Sequence, residues 1–176
     1  SHKRALKRAG IYATASLVLP KGSHMPHQPK KAKTFLISAL DKVEAMGAQY
    51  LGGCIAYHLG ELTGKPPTKQ ELDTVTETLR DVAAEAKKRG ITLALEACNR
   101  YETYMYNTLE DTRKAIKAVG VDNLVLHADT YHMNIEEKGI GAAFRATGDK
   151  CAYVHLSESD RGVPGTGTID WDDTFR

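Results

Sequence analysis

One joint recurs along this chain and restricts its fold more than any other feature. Ala45-Met46-Gly47-Ala48, Lys88-Arg89-Gly90-Ile91 and Ala118-Val119-Gly120-Val121 each close a stretch of helical period with glycine and lead straight into an apolar run. Glycine suits the left-handed residue that ends a helix. A helix that returns to a strand within two or three residues, three times over, marks repeated βα units on a parallel sheet and argues against segregated helices and strands.

The runs between the joints extend the pattern. Candidate strands cover Ile11–Leu19, Gln49–Ile55, Ile91–Ala97, Asn123–Asp129 and Ala152–Leu156. Helices are predicted over Lys31–Met46, Thr68–Arg89 and Leu109–Val119. In the first, Phe35, Leu36, Ala39, Leu40, Val43 and Met46 recur at spacings of three and four; in the second, Leu72, Val75, Leu79, Val82 and Ala86 share one face.

Three of the apolar runs end in a polar residue able to grip a metal: Glu96, Asp129 and His155. Each is followed by further polar groups, Asn99, Arg100 and Glu102 after the first, His132 and Asn134 after the second, Glu158 and Arg161 after the third. In a (β/α)8 TIM barrel, functional groups come from the C-terminal ends of several strands and meet in one mouth. An open sheet would bind at a switch point, usually beside a glycine-rich first turn, and no GxGxxG or P-loop is present. A complete barrel needs about eight strands and ~250 residues, against the five strands read here. The expectation is therefore a single α/β domain over residues 1–176, part of a TIM barrel, with strands missing at both ends; an open five-stranded sheet is the alternative.

Composition narrows the class. With 41% hydrophobic residues the chain can bury a substantial core. No apolar run approaches the length of a membrane span and no signal-like segment opens the chain, so a soluble cytoplasmic protein is expected, with no membrane partner. The first forty residues hold eight Lys or Arg and no acid; the net charge is +2, so the remainder carries −6. These bases fall on helix-like stretches such as Lys3–Arg8 without interleaved aromatics, which disfavours nucleic acid as a partner. Cys54, Cys98 and Cys151 lack the spacing of a zinc or redox motif and read as reduced, packed thiols, with Cys98 close enough to Glu96 to line the site.

Individual residues have plainer readings too. His155, between Val154 and Leu156, by itself reads as a core histidine, and only its company makes it a ligand candidate. Asp129 could cap a helix. His127 shares a face with Asp129 if the strand is regular, as packing or as an extra ligand. His24 and His27 are expected to be solvated in a Pro-rich loop, and Gly162–Thr168 to form a tight turn. Tyr101, Tyr104 and Tyr106 either wall a ligand or pack loop against loop.

The segments Leu95-Glu96-Ala97-Cys98-Asn99-Arg100-Tyr101-Glu102, Asp129-Thr130-Tyr131-His132-Met133-Asn134-Ile135-Glu136-Glu137 and His155-Leu156-Ser157-Glu158-Ser159-Asp160-Arg161, with Pro164-Gly165 and Gly167, resemble the ketose 3-epimerases that act on D-tagatose, D-allulose (psicose) or L-ribulose, within the xylose isomerase-like TIM barrel superfamily. The resemblance runs from about Gly10 to the end. It implies that Glu96, Asp129 and His155 bind a divalent metal, with Glu96 also the catalytic base, and that Glu102, His132 and Arg161 contact the substrate. It implies a ketose sugar as ligand and a homodimer or homotetramer. It also places further strands ahead of Ile11 and one beyond Arg176, the latter carrying a second metal-binding, catalytic glutamate.

That chemistry suits these residue types. Epimerisation beside a carbonyl removes a weakly acidic proton and returns one to the opposite face, a task for two carboxylates. Oxygen and imidazole donors favour Mn2+, with Co2+ or Mg2+ as alternatives, over a thiolate-bound ion. An aldose-ketose isomerase of the same barrel class, and a catalytically inactive fragment, are the competing readings. An endonuclease on the same barrel would want more histidine ligands and a basic groove.

Overall fold

The computed structural model describes residues 2–176, and its sheet has five parallel strands in the order of the chain. These are β1 (Ala15–Val18), β2 (Tyr50–Cys54), β3 (Thr92–Glu96), β4 (Leu124–Asp129) and β5 (Cys151–His155). The helices are α1 (His2–Arg8), α2 (Pro29–Met46), α3 (Lys69–Lys88), α4 (Leu109–Val119), α5 (Thr130–Glu136), α6 (Ile140–Thr147) and α7 (Trp171–Thr174). Sequential order without a reversal is the winding of a barrel wall rather than of a doubly wound sheet.

The glycine joints do what their spacing demands. Gly47, Gly90 and Gly120 have φ of 76°, 66° and 71°, the left-handed turn that releases each helix into the next strand. At the other ends, Thr68 and Glu71 form a capping box for α3, and the Thr108 hydroxyl accepts from the Asp111 N–H at the start of α4. The helical stripes then bury Leu36, Leu40 and Val43 of α2, Val75, Leu79 and Val82 of α3, and Ile116 of α4 over Leu51, Leu93, Leu95, Leu124 and Leu126 of the sheet.

Pleat and register divide the sheet into two unlike faces. Leu51, Leu93, Leu95, Leu124 and Leu126 occupy the face toward the helices. Cys54 pairs across to Val18, Glu96 to His127, and Asp129 to His155, so Cys54, Glu96, His127, Asp129 and His155 fall along the opposite face. A bulge at Leu126/His127 sets the last pairing, matching His127 to Tyr153 instead of Ala152. Strand phase alone would have left His155 facing away from Asp129.

Several expectations need correction. The first strand is only Ala15–Val18; Ile11 and Tyr12 are exposed, because β2 offers ladder partners only from Leu51 to Cys54. Helices α5, α6 and α7 were not foreseen, since each is too short to display a repeated apolar stripe. The loop after β1 is not solvated throughout. It folds over the strand ends and buries Met25 and His24, whose Nδ1 accepts the His58 N–H at 3.2 Å and whose Nε2 meets the Tyr104 hydroxyl at 3.3 Å. Burial lowers the His24 pKa and keeps the ring neutral. His27 does stay half-exposed, paired with Glu71.

Among the described residues β1 and β5 each pair on one side only, and Val18, Val154 and Leu156 remain exposed. No described helix is long and apolar enough to cross a membrane.

Candidate functional site

Glu96 ends β3, and the register delivers it to the polar face with almost no access to water. Its one side-chain hydrogen bond among the described residues is weak, from the Cys54 thiol to Oε2 at 3.8 Å. His127 Nδ1 stands 3.5 Å from Oε2 and His132 Nε2 3.8 Å from Oε1. Burial, and then the neighbouring Asp129 carboxylate, push the Glu96 pKa up to about 8. Without a counter-charge this group holds its proton at neutral pH. The Tyr57 hydroxyl pins the strand end beneath it by donating to the Glu96 carbonyl at 2.5 Å.

Asp129 ends β4 and uses its two oxygens differently. Oδ1 accepts from the Tyr131 N–H at 2.9 Å and so caps α5, as a strand-end aspartate can; Oδ2 accepts from Arg161 Nη1 at 2.9 Å and lies 3.8 Å from His155 Nδ1. Donor atoms of Glu96, Asp129 and His132 fall within 4.8 Å of one another, as do those of Glu96, His127 and His155. The three strand-end residues are thus neighbours, but the two cation-sized groups they enter are different: Asp129 shares one with Glu96 and His132, and His155 shares the other with Glu96 and His127. Two carboxylates and an imidazole there form a donor set that fits a hard divalent cation, and the nearly unsatisfied Glu96 carboxylate is the feature that such an ion would relieve.

His127 is a neighbour of this cluster with one ring nitrogen bonded and the other without a partner among the described residues. Its Nδ1 accepts the Gly53 N–H at 3.0 Å, which puts the proton on Nε2, a buried atom with no hydrogen-bond partner. Burial, with His155 and His132 adding to it, drops its pKa to about 3, and its ring meets that of His155 edge to face at 4.2 Å.

His132, on α5, is held by Asn99, whose backbone N–H and side-chain amide both reach Nδ1, at 3.2 and 2.8 Å. The proton is thereby directed to Nε2, which faces Arg161 Nη2 at 3.1 Å and Glu102 Oε2 at 3.9 Å. Two N–H donors converge with no acceptor between them. Burial keeps His132 neutral. Arg161 lies over the Tyr131 ring at 3.9 Å and has φ +66°, the only positive value for a residue other than glycine among those described.

Arg161 lies in a turn closed on Glu158, with the Arg161 N–H donating to the Glu158 carbonyl at 3.0 Å and the Glu158 N–H donating to the Gly162 carbonyl at 3.2 Å. Glu158 is fully buried, and its carboxylate accepts from the Ser159, Gly165 and Ile169 N–H groups and from the Trp171 indole. Burial opposes its ionisation, but these four donors outweigh it and hold the pKa down to about 2. The segment expected to be a simple tight turn is thus a loop wrapped around an anion. Its stability contribution is fully present above the ordinary carboxyl pKa near 4.5 and is lost as pH falls toward 2. Glu158→Ala is expected to release the loop at pH 7, measured as faster tryptic cleavage after Arg161; unchanged cleavage would contradict the anchoring role.

The Asp129–Glu137 run also carries supports that spacing did not disclose. Glu136 binds the Arg100 backbone and guanidinium, and Glu137 accepts the Leu109 N–H at the start of α4. Among the tyrosines, Tyr106 is buried and Tyr104 bonds Glu71, so both pack, while Tyr101 is exposed. Cys54 and Cys98 are buried with sulfurs 3.5 Å apart, and all three cysteines are free. A groove of about 840 Å3 between α3 and α4, lined by Leu72, Thr76, Tyr106 and Ala115, includes none of Glu96, Asp129 or His155.

Comparison with known proteins agrees with the fold. The family described as Xylose isomerase-like TIM barrel matches residues 2–176. An L-ribulose 3-epimerase of Mesorhizobium japonicum is 36% identical over 92% of this chain and 56% of its own length, and one from Methylomonas sp. is 36% identical over 98% and 62%. The crystal structure of a D-allulose 3-epimerase from Methylomonas sp. in complex with D-allulose superposes with a TM-score of 0.92 at 35% identity, covering 98% of this chain and 61% of that one. The chain thus spans about three-fifths of the length of these relatives. A winding order without reversal, a polar face gathered at the strand ends and a family match along the described length lead to one conclusion: this chain belongs to the xylose isomerase-like TIM barrel family.

Proposed function

We propose that this chain serves the metal-dependent C3 epimerisation of free ketoses, ketohexose or ketopentose, through a cis-enediolate. The observation that carries the reading is Glu96, a buried carboxylate at a strand end with one weak hydrogen bond and with Asp129 and His155 beside it. An anion so placed is costly unless a cation shares the site. The similarity to ketose 3-epimerases supports the choice of reaction.

In this reading Glu96, Asp129 and His155 would hold the ion, Mn2+ by preference and Co2+ or Mg2+ otherwise. When bound, it supplies Lewis-acid stabilisation of the oxygens at the reacting end of the sugar. Glu96 takes the C3 proton, which is acidified by the adjacent C2 carbonyl. With Arg161 Nη1 held by Asp129, the converging donors His132 Nε2–H and Arg161 Nη2 are aimed where a sugar oxygen gaining charge would accept both. Glu102, one-third exposed at the rim, fixes a hydroxyl farther along the substrate. The carboxylate acting on the opposite face of C3 belongs, by the family resemblance, to a strand outside this sequence.

Proton exchange tests this directly, because one base suffices to exchange C3–H even where inversion needs two. Incubated with Mn2+ and D-allulose in D2O, the chain is expected to replace the C3 proton with deuterium, seen by proton NMR. Exchange at C1 instead would select the aldose-ketose isomerase reading. No exchange at either carbon would overturn catalysis by this chain.

A further inference from the structure

Beneath the proposed hard-metal site lies a second donor set that the epimerase reading does not use. Cys54, at the end of β2, and Cys98, two residues past Glu96, come from neighbouring strand ends and bring their sulfurs to 3.5 Å, with Cys54 Sγ 3.8 Å from Glu96 Oε2. Donor atoms of all three residues lie within 4.8 Å of one another. Two thiolates on a tetrahedral zinc ion, at Zn–S of about 2.3 Å, sit about 3.8 Å apart, and a thiolate and a carboxylate oxygen about 3.5 Å apart. The sulfur–sulfur separation and that from Cys54 Sγ to Glu96 Oε2 need only a few tenths of an ångström of adjustment. Cys151, on β5, is in no such group.

We propose that Cys54, Cys98 and Glu96 form a site for a thiophilic divalent cation of the zinc and cadmium class, which shares Glu96 with the proposed hard-metal site and so excludes a hard ion from it. Binding forms two metal–sulfur bonds and one metal–oxygen bond; the two thiol protons pass to solvent and no electron is transferred. The sulfurs and the Glu96 carboxylate are all buried. Soft donors and a tetrahedral preference select zinc-class ions over Mn2+ or Mg2+. The sharing of Glu96 rests on the proposed function; the dithiol site does not.

The test uses the whole reduced chain and Co2+ or Cd2+ alone as probe. One cation per chain is expected, with a sulfur-to-metal charge-transfer absorption of two-thiolate intensity. Cys54→Ser and Cys98→Ser should each halve that intensity and weaken binding at least tenfold, while Cys151→Ser leaves both unchanged. On the unmodified chain, bound Cd2+ should protect Cys54 and Cys98, but not Cys151, from alkylation mapped by mass spectrometry, so a variant that fails to fold does not stall the test. Absence of the charge-transfer band, its survival in the Cys54→Ser/Cys98→Ser double variant, or protection of Cys151 alone would overturn the site. Mn2+ followed by electron paramagnetic resonance should be displaced by Cd2+ in the parent chain. If Mn2+ never binds, the hard-metal reading fails while the thiolate band still decides this one.

Discussion

Glu96→Gln is expected to remove C3 exchange and Mn2+ binding and, in chelated buffer at alkaline pH, to make the protein more stable than its parent. The loss of exchange follows from deleting the base, an effect of about 10²–10⁴-fold. The gain in stability follows from linkage. In the fold the Glu96 carboxyl has a pKa of about 8, against an ordinary value of 4.5, because burial and Asp129 both oppose its charge. Between those two values the native state binds the extra proton, so stability falls as pH rises, by about 1.4 kcal/mol per pH step of one and on the order of 5 kcal/mol across the interval. Glutamine never ionises and escapes that loss. Urea unfolding with a chelator should therefore find parent and variant similar near pH 5 and the variant ahead near pH 9. A variant no more stable at pH 9 would sink the account of Glu96 as an uncompensated buried carboxylate. The same linkage predicts that Mn2+ binding to the parent tightens with rising pH until about 8, since the cation must displace that proton.

Gly53→Ala should be severely destabilising. Gly53 has φ +103°, and a Cβ there would sit 2.1 Å from the Leu17 carbonyl oxygen and 2.9 Å from the Leu17 nitrogen. Those are backbone atoms of β1, held by pairing to β2, and cannot rotate away. Relief requires separating the two strands and moving the Gly53 N–H from His127 Nδ1, the contact that fixes the ring beside Glu96. A loss above about 4 kcal/mol is expected, in the range reserved for steric failure of this kind. Gly60→Ala supplies the control. Its φ is +84°, but nothing lies within 4 Å of a Cβ, so only the left-handed penalty of about 1–2 kcal/mol applies. Equal losses at the two positions in urea unfolding would show that backbone conformation, and not the clash with β1, sets the cost.

Legibility in the sequence followed length and repetition. Helices α2, α3 and α4 span several turns, so Leu36, Leu40 and Val43, or Val75, Leu79 and Val82, repeat often enough to reveal a face. The seven residues of α5 do not, although Asp129 begins that helix and His132 rides on it. Glu96, Asp129 and His155 were readable because each interrupts or ends an apolar run, where a polar group needs a reason. Glu158 was not, since a carboxylate among Ser, Asp and Arg looks like surface, and only the return of Gly165, Ile169 and Trp171 buries it. His24 misled for the same reason. Its loop is polar in composition, and its burial depends on His58 and Tyr104, residues 34 and 80 positions away.

By itself the sequence determined the alternation of strand and helix, the glycine joints, and which residue stands at each strand end, because periodicity and capping are local and act within a few residues. The tertiary structure alone decided which of those ends share a face. The bulge at Leu126/His127 turns His155 toward Asp129, and the β2–β3 register sets Cys54 against Glu96 and within reach of Cys98. Pairing register is a property of two strands at once, a slip of one residue reverses every side chain, and no spacing within a single strand encodes it.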